Sequence, residues 1–217
     1  MTRLKIAAFG DSLTAGSALH EGQKNWTDIL SEELLAEVKN CGIGGQTSAD
    51  ALGRMEADVL TWKPDIVLIC FGMNDHVIID ESGRTKVSAA QLAANLTEMV
   101  RQVRDIGAVP VLMTPNAVME EYYFTRHPRE WYAAAGGANG QLARYCAVIR
   151  STAYAQAVPM VDLFYESRKR DLSVLLRTPE HGGFADGVHP YGEGIRFYAD
   201  AVLSVLRDAA GVVSCCR

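Results

Sequence analysis

Short, almost continuous apolar segments alternate along this chain with segments of helical periodicity. The apolar segments are Leu4–Phe9, Ile66–Phe71, Ala108–Met113 and Val158–Leu163, with a weaker one at Glu37–Cys41. The segments with a period near 3.6 are Trp26–Val38, Ser48–Leu60, Ser88–Ile106, Gln141–Ala157 and Glu193–Ala210. Strands that are apolar on both faces are typical of parallel sheets covered by helices on either side. The pattern predicts one α/β domain over residues 1–217.

Composition and charge exclude several classes of protein. A net charge of −5 over 217 residues provides no basic surface for nucleic acid, and no apolar run approaches the roughly 18 residues of a membrane span. The apolar stretch after Arg3 and Lys5 is too short for a secretory signal. We therefore expect a cytoplasmic protein without a nucleic-acid partner or a membrane span, and leave a homo-oligomer open. The adjacent Cys215 and Cys216 are expected to be exposed thiols.

Distinctive polar or glycine-rich turns follow three of the predicted strands. They are Gly10–Leu13, Gly42–Ser48 and Gly72–Asp75. Because the carboxyl ends of parallel strands share one edge of the sheet, these turns can converge on one crevice, which the segment Asp186–His189 could also reach. Serine, histidine and aspartate are the side chains that nucleophilic acyl transfer requires. The sequence therefore predicts a serine hydrolase.

Taken together, these blocks resemble the GDSL or SGNH hydrolase family, whose signature is a serine, a glycine, an asparagine and a histidine in four separated blocks. Here they fall on Ser12, Gly45, Asn74 and His189. The resemblance covers most of the chain in the right order. It implies a flavodoxin-like three-layer α/β/α sandwich with a mostly parallel sheet, and hydrolysis of esters or thioesters with no cofactor and no metal.

The resemblance and the logic of a catalytic triad give each residue a role. Ser12 would be the nucleophile, His189 the base, and Asp186 the carboxylate that orients the imidazole. The oxyanion hole would combine the backbone N–H groups of Ser12 and Gly45 with the side-chain amide of Asn74. Two glycines are adjacent, so the donor assigned to Gly45 could instead be Gly44.

Candidate substrate contacts are Asp11, His76, Tyr123 and Trp131. Asp11 also suits bracing of the turn, His76 is equally consistent with a solvated loop, and Trp131 could pack or stack on a sugar. Tyr123 and Trp131 lie within Thr114–Gly137, a long irregular stretch rich in aromatic and charged residues. It should emerge at the same sheet edge as Ser12 and select among esters without supplying the chemistry.

The predicted substrate is a small-molecule ester with a short acyl chain, such as an acetyl group on carbohydrate or a small aryl or alkyl ester. Lysophospholipase and acyl-CoA thioesterase activity remain alternatives within the family. A metal-dependent phosphoesterase is the alternative from another class. The side chains that could bind its metals are Asp11, Asn74, Asp75, His76, Asp186 and His189.

Overall fold

The computed structural model describes residues 3–181 and 186–213 of the chain, so the expectation for Cys215 and Cys216 lies outside the described residues. The strands in this part of the chain are β1 (Lys5–Gly10), β2 (Glu37–Gly42), β3 (Ile66–Cys70), β4 (Val109–Thr114) and β5 (Met160–Asp162). They form one parallel sheet in the order β2-β1-β3-β4-β5. The predicted sandwich with a parallel sheet is confirmed, and this strand order is that of flavodoxin-like folds.

The four longest helices of the described residues begin and end close to the positions that periodicity predicts, and several short helices were not predicted. The helices are α1 (Ser12–Ala15), α2 (Trp26–Leu34), α3 (Ser48–Leu52), α4 (Met55–Asp58), α5 (Ala89–Asp105), α6 (Glu120–Tyr123), α7 (Ala138–Ala155), α8 (Leu163–Ser167), α9 (Leu172–Leu175) and α10 (Glu193–Val213). Short 3₁₀ turns cover Leu60–Trp62, Arg129–Ala135 and Pro179–His181. One prediction is wrong: the single helix expected over Ser48–Leu60 is broken after α3, where Gly53 is the C-terminal cap.

Helices cover both faces of the sheet. Successive residues of β1 point to opposite faces, so Ile6 and Ala8 join one buried cluster whereas Ala7 and Phe9 join the other. The first cluster includes apolar residues of α2 and α10, and the second includes those of α5. This two-sided burial explains why β3 and β4 are almost entirely apolar, whereas the edge strand β2 contains Glu37, Lys39 and Asn40.

The segment Thr114–Gly137 is more ordered than the sequence predicts. It contains α6 and the 3₁₀ turn Arg129–Ala135, and the side chains of Tyr123 and Tyr132 are buried. The prediction of an irregular loop is therefore wrong, because its aromatic side chains pack into the core and fix the backbone between them.

The sheet has a topological switch point at its centre. The chain moves from β1 outward to β2 and then returns to β3 on the other side of β1. Connections that diverge in this way leave a crevice at the carboxyl ends of β1 and β3. Ser12 follows β1 and Asn74 follows β3, so the fold brings two of the four predicted blocks to this crevice.

Candidate active site

Ser12 is the first residue of α1, directly beyond the end of β1, and its side chain is half-buried. The preceding Asp11 caps the helix, because its carboxylate accepts a hydrogen bond of 2.9 Å from the N–H of Leu13. The turn is compact: a Cβ atom built on Gly10 would lie 2.1 Å from Oγ1 of Thr14. These constraints hold the serine at a fixed position on the crevice.

Asp186 and His189 form a hydrogen-bonded pair, as the sequence predicts. The Oδ2 atom of Asp186 accepts from Nδ1 of His189. Its Oδ1 atom accepts from the backbone N–H groups of Val188 at 2.8 Å and His189 at 3.1 Å. Burial alone would raise the pKa of Asp186, but the hydrogen bonds and the nearby imidazole outweigh it and lower the pKa to about 2. A carboxylate that stays ionised fixes the imidazole with Nε2 free to accept a proton.

The other ring nitrogen of His189 is directed into the protein. Its Nε2 atom is buried and has no hydrogen-bond partner among residues 3–181 and 186–213. His189 also lies close enough to Asp11, the neighbour of Ser12, to lower the pKa of that carboxyl group. The pair is thus near Asp11, and Nε2 of His189 does not hydrogen-bond to the hydroxyl of Ser12.

Backbone contacts hold the segment that contains Asp186 and His189. The Nδ2 atom of Asn116 donates to the carbonyl of Val188 at 3.0 Å, and its Oδ1 atom accepts from the hydroxyl of Tyr198. The carbonyl of His189 accepts from the N–H of Arg177 at 3.0 Å. Asn116 follows β4 at the same edge of the sheet, so it helps to position the acid–base pair through its bond to Val188.

Asn74 lies in the turn after β3, and its amide spans the floor of the crevice. Its Nδ2 atom donates to the carbonyl of Gln46 at 3.0 Å and to Oδ2 of Asp11 at 3.2 Å. The structure therefore brings together the turns after β1, β2 and β3. Both amide hydrogens already have acceptors, so stabilising an oxyanion would require one of these contacts to be shared.

The adjacent glycines of the turn after β2 differ in their surroundings. A Cβ atom on Gly44 would lie 3.9 Å from Cβ of Ser12, whereas one on Gly45 would meet nothing within 4 Å. Gly45 has a φ of +77°, a conformation that favours glycine. Both are at the crevice, and the oxyanion donor at Gly45 stays a prediction.

Asp11 is the most strongly perturbed carboxyl group of the site. It is 1% exposed, and burial raises its pKa from 3.8 to about 7, although hydrogen bonds from Leu13 and Asn74 and the nearby His189 oppose this shift. A buried carboxyl with both oxygens engaged braces the turn. It is not placed as a substrate contact.

The other predicted substrate contacts have different outcomes. His76 and Tyr123 are not on the wall of the crevice, because they are 0% and 2% exposed and bond to each other inside the protein. Burial lowers the pKa of His76 to about 4, which keeps the ring neutral. Trp131 is half-buried against the first core cluster, and its contact with substrate stays a prediction.

Sequence reasoning missed two residues that shape the site. Arg54 has a mostly buried side chain whose Nη2 atom donates to the carbonyl of Gly10 at 3.0 Å and whose Nε atom donates to Gln46. It ties the turns after β1 and β2 together. The second is Asn116, for which a signal existed, since a polar residue just beyond the end of β4 falls at the catalytic edge.

Within the described residues, no group of three or more His, Cys, Asp or Glu side chains is arranged to hold a metal ion. In the same part of the chain, no helix is both long and apolar enough to cross a membrane.

The model of the GDSL-like Lipase/Acylhydrolase family matches residues 8–197, a range that includes all four blocks of the site. The chain belongs to this family. It is accordingly a carboxylic ester hydrolase of the GDSL type, which agrees with the acid–base pair and the strand-end serine described above.

Proteins with similar sequences come from several bacteria. The "Uncharacterized lipoprotein YqeF" of Bacillus subtilis is 34% identical over 169 residues, which are 72% of this chain and 69% of that protein. An arylesterase of Vibrio mimicus is 32% identical over 114 residues, 50% of this chain and 53% of the relative. An acetylxylan esterase of Geobacillus stearothermophilus is 30% identical over 139 residues, 51% of this chain and 59% of the relative. The chain thus matches little more than half the length of these two esterases.

Solved structures share the fold over almost the whole chain. The lipase/acylhydrolase from Enterococcus faecalis has a TM-score of 0.73 at 23% identity and covers 96% of both chains. TesA has a TM-score of 0.68 at 24% identity, over 94% of this chain and 98% of the other. At this identity the comparison establishes a common fold.

Proposed function

We propose that this chain hydrolyses carboxylic esters through an acyl-enzyme on Ser12, with Asp186 and His189 as its partners. The observation that carries the proposal is the state of His189. One ring nitrogen is bonded to an ionised carboxylate. The other is buried, has no partner among the residues that the structure describes, and belongs to a ring near Asp11, the neighbour of Ser12. An imidazole held in this tautomer is prepared to accept a proton.

The reaction follows in two displacements. Nε2 of His189 accepts the hydroxyl proton of Ser12 while Oγ attacks the ester carbonyl, and the tetrahedral oxyanion accepts hydrogen bonds from the N–H groups of Ser12 and Gly45 and from the Asn74 amide. Collapse expels the alcohol, which takes the proton from His189. A water molecule then gives its proton to His189 and attacks the acyl carbonyl. The second tetrahedral intermediate collapses to the carboxylic acid, and Oγ of Ser12 takes the proton back from His189 as its bond to the acyl carbon breaks.

Short acyl chains are the proposed substrates, with acetyl groups on carbohydrate or small aryl and alkyl esters as the leading cases. Support comes from the names of two relatives, an arylesterase and an acetylxylan esterase. Lysophospholipids and acyl-CoA thioesters are the alternatives. A panel of p-nitrophenyl esters from acetyl to palmitoyl tests the proposal, and a maximum at long chains would contradict it.

Replacement of Ser12 by alanine tests the nucleophile. Ser12→Ala should abolish hydrolysis of p-nitrophenyl acetate and leave the melting temperature within a few degrees of the wild type. A serine-directed phosphonate should add mass to the one peptide that contains Ser12, and EDTA should leave activity unchanged. Ser17→Ala, a neighbouring exposed serine, is the matched control. Labelling of another residue, or activity in Ser12→Ala, would refute the assignment.

A cytoplasmic location and a single domain remain proposals. The relative from Bacillus subtilis is named a lipoprotein, so the location needs direct measurement. Fractionation of cells that express the natural gene, with detection in the membrane, cytoplasmic and secreted fractions, decides it. Recovery from the membrane fraction would contradict the cytoplasmic proposal.

A further inference from the structure

We propose that Met119–Tyr123, here called the strut, sets the separation between the Asp186–His189 pair and the Asn74 amide, which makes Tyr123 a positioning residue for ester hydrolysis. The inference rests on the proposed function, because it concerns the same reaction. The strut comprises α6 and the residue before it, and its two ends contact the two catalytic segments from opposite sides.

One end of the strut holds the acid–base segment. The N–H of Met119 donates to the carbonyl of Gly187 at 2.8 Å. Gly187 has a φ of +62°, and a Cβ atom there would lie 2.8 Å from the carbonyl oxygen of Met119, so the approach requires glycine. Beyond the strut, Nη2 of Arg126 donates to the carbonyl of Asp186 at 3.2 Å. The segment that contains both catalytic side chains is therefore anchored here.

The other end reaches the turn that contains Asn74. The hydroxyl of Tyr123 lies 3.2 Å from Nε2 of His76. The backbone N–H of His76 and its Nδ1 atom both bond to the carbonyl of Gly72, at 3.2 and 3.3 Å. Two hydrogen bonds from His76 therefore close the turn from Gly72 to His76, which contains Asn74. Tyr123 holds the imidazole ring that makes one of these two bonds.

The hydrogen bonds form a chain with one direction. Nδ1 of His76 faces a carbonyl and must carry the proton, so Nε2 accepts from Tyr123. The Tyr123 oxygen then accepts from the hydroxyl of Tyr132 at 3.1 Å, and the Tyr132 oxygen accepts from the N–H of Ile78 at 3.1 Å. Burial lowers the pKa of His76 to about 4, in agreement with this neutral ring. Each side-chain polar atom of His76, Tyr123 and Tyr132 has a partner in this one arrangement, which makes the hydrogen-bond network rigid.

Such a connection matters because the two catalytic segments are far apart in sequence. Asn74 and His189 belong to different parts of the sequence. The reaction needs the oxyanion donor and the base to act on one substrate carbonyl at the same time. A misplacement of about 1 Å can cost 10²-fold in rate. A buried strut that contacts both segments limits that error.

The test removes one hydroxyl and keeps the ring. Tyr123→Phe should lower kcat for p-nitrophenyl acetate by about 10- to 100-fold and change KM by less than about threefold, since ground-state binding does not need the aligned amide. Tyr145→Phe is the matched control. Its buried hydroxyl bonds to Thr85 and to the carbonyl of Val87 at 2.8 and 2.7 Å, but it does not join the two segments. The melting temperature of Tyr145→Phe should fall by about as much as that of Tyr123→Phe, and its kcat should stay at the wild-type value.

A second arm asks whether Tyr123 acts through Asn74. In an Asn74→Ala background, Tyr123→Phe should lower kcat by less than about twofold, because the amide that it positions is gone. Additive losses, or a wild-type kcat in Tyr123→Phe, would overturn the strut. If Tyr123→Phe does not fold, Tyr132→Phe decides, with a several-fold loss expected and a wild-type kcat refuting the proposal.

Ser12→Ala, assayed with the same substrate, separates this proposal from the one on which it rests. An inactive Ser12→Ala together with a fully active Tyr123→Phe refutes the strut alone. An active Ser12→Ala refutes the proposed function and the strut with it.

Discussion

Two adjacent residues after β3 have opposite surroundings. Asp75 is fully buried, and its carboxylate accepts from the N–H and the hydroxyl of Ser48. Asn74 is half-buried and bonds across the crevice to Asp11 and Gln46. The first therefore joins the start of α3 to the turn, whereas the second lies in the crevice, where we propose that its amide stabilises an oxyanion. Both residues lie in the turn after β3, so the difference in their surroundings comes from the contacts that this turn makes.

Substitutions should separate these two roles. Asn74→Ala should lower kcat for p-nitrophenyl acetate by about 10²–10³-fold with a smaller change in KM, because the lost donor acts on the transition state. Asp75→Ala should instead cost about 1–3 kcal/mol of the free energy of unfolding, since the buried Ser48 groups lose their acceptor. Steady-state kinetics and urea unfolding of both variants measure this. If Asn74→Ala lowers only the free energy of unfolding and leaves kcat unchanged, the role of Asn74 is purely structural.

At the scale of the elements, the sequence predicts whatever depends on local pattern. The five strands and the long helices follow from apolar runs and periodicity, and their carboxyl ends locate Ser12 and Asn74. What escapes prediction depends on distant partners. The order in Thr114–Gly137 comes from the Met119 bond to Gly187 and the Tyr132 bond to Ile78, and no local pattern in the segment encodes either contact.

The same limit applies to the site. The resemblance to the GDSL family locates the serine, the acid–base pair and the asparagine, because each falls in a short block. Arg54, Asn116 and the His76–Tyr123 contact lie outside those blocks and act through backbone carbonyls. The chemistry of the His76 and Tyr123 side chains predicts substrate contacts, but in the structure both are buried and support the turn that contains Asn74.

Only the half-buried side chains of Thr114–Gly137, such as Trp131, should affect which esters are hydrolysed. Trp131→Ala should preserve hydrolysis of p-nitrophenyl acetate within about threefold and change the ranking among larger esters, because loops on a rigid scaffold tune binding. Tyr154→Ala, at a side chain 91% exposed on α7, is the control and should leave the ranking unchanged. An unchanged ranking in Trp131→Ala would show that this ring only packs. Deletion of Glu120–Ala135, by contrast, removes Tyr123 and Tyr132 from the core and should destroy both activity and stability.

For the whole molecule, two buried groups make the free energy of unfolding depend on pH in opposite directions. Burial raises the pKa of Asp11 from 3.8 to about 7 in the folded state, so its contribution to stability is lost as the pH rises through that window. Burial lowers the pKa of His76 from 6.5 to about 4, so its contribution is present above pH 6.5 and is lost as the pH falls towards 4. The windows overlap, and the two effects largely cancel in the wild type.

Removing either group should therefore reveal the other. We consider the free energy of unfolding of each variant minus that of the wild type. As the pH rises from 4 to 7, this difference should increase by about 4 kcal/mol for Asp11→Asn and decrease by about 3 kcal/mol for His76→Phe. Other carboxylates, such as Asp186 with its pKa of about 2, contribute equally to wild type and variant, so the difference isolates one group. Urea unfolding at half-unit pH steps provides both curves, and a single cooperative transition is expected at each step from one domain. Differences that stay constant with pH would show that the Asp11 carboxyl is ionised and hydrated in the folded protein and that His76 titrates as in the unfolded chain.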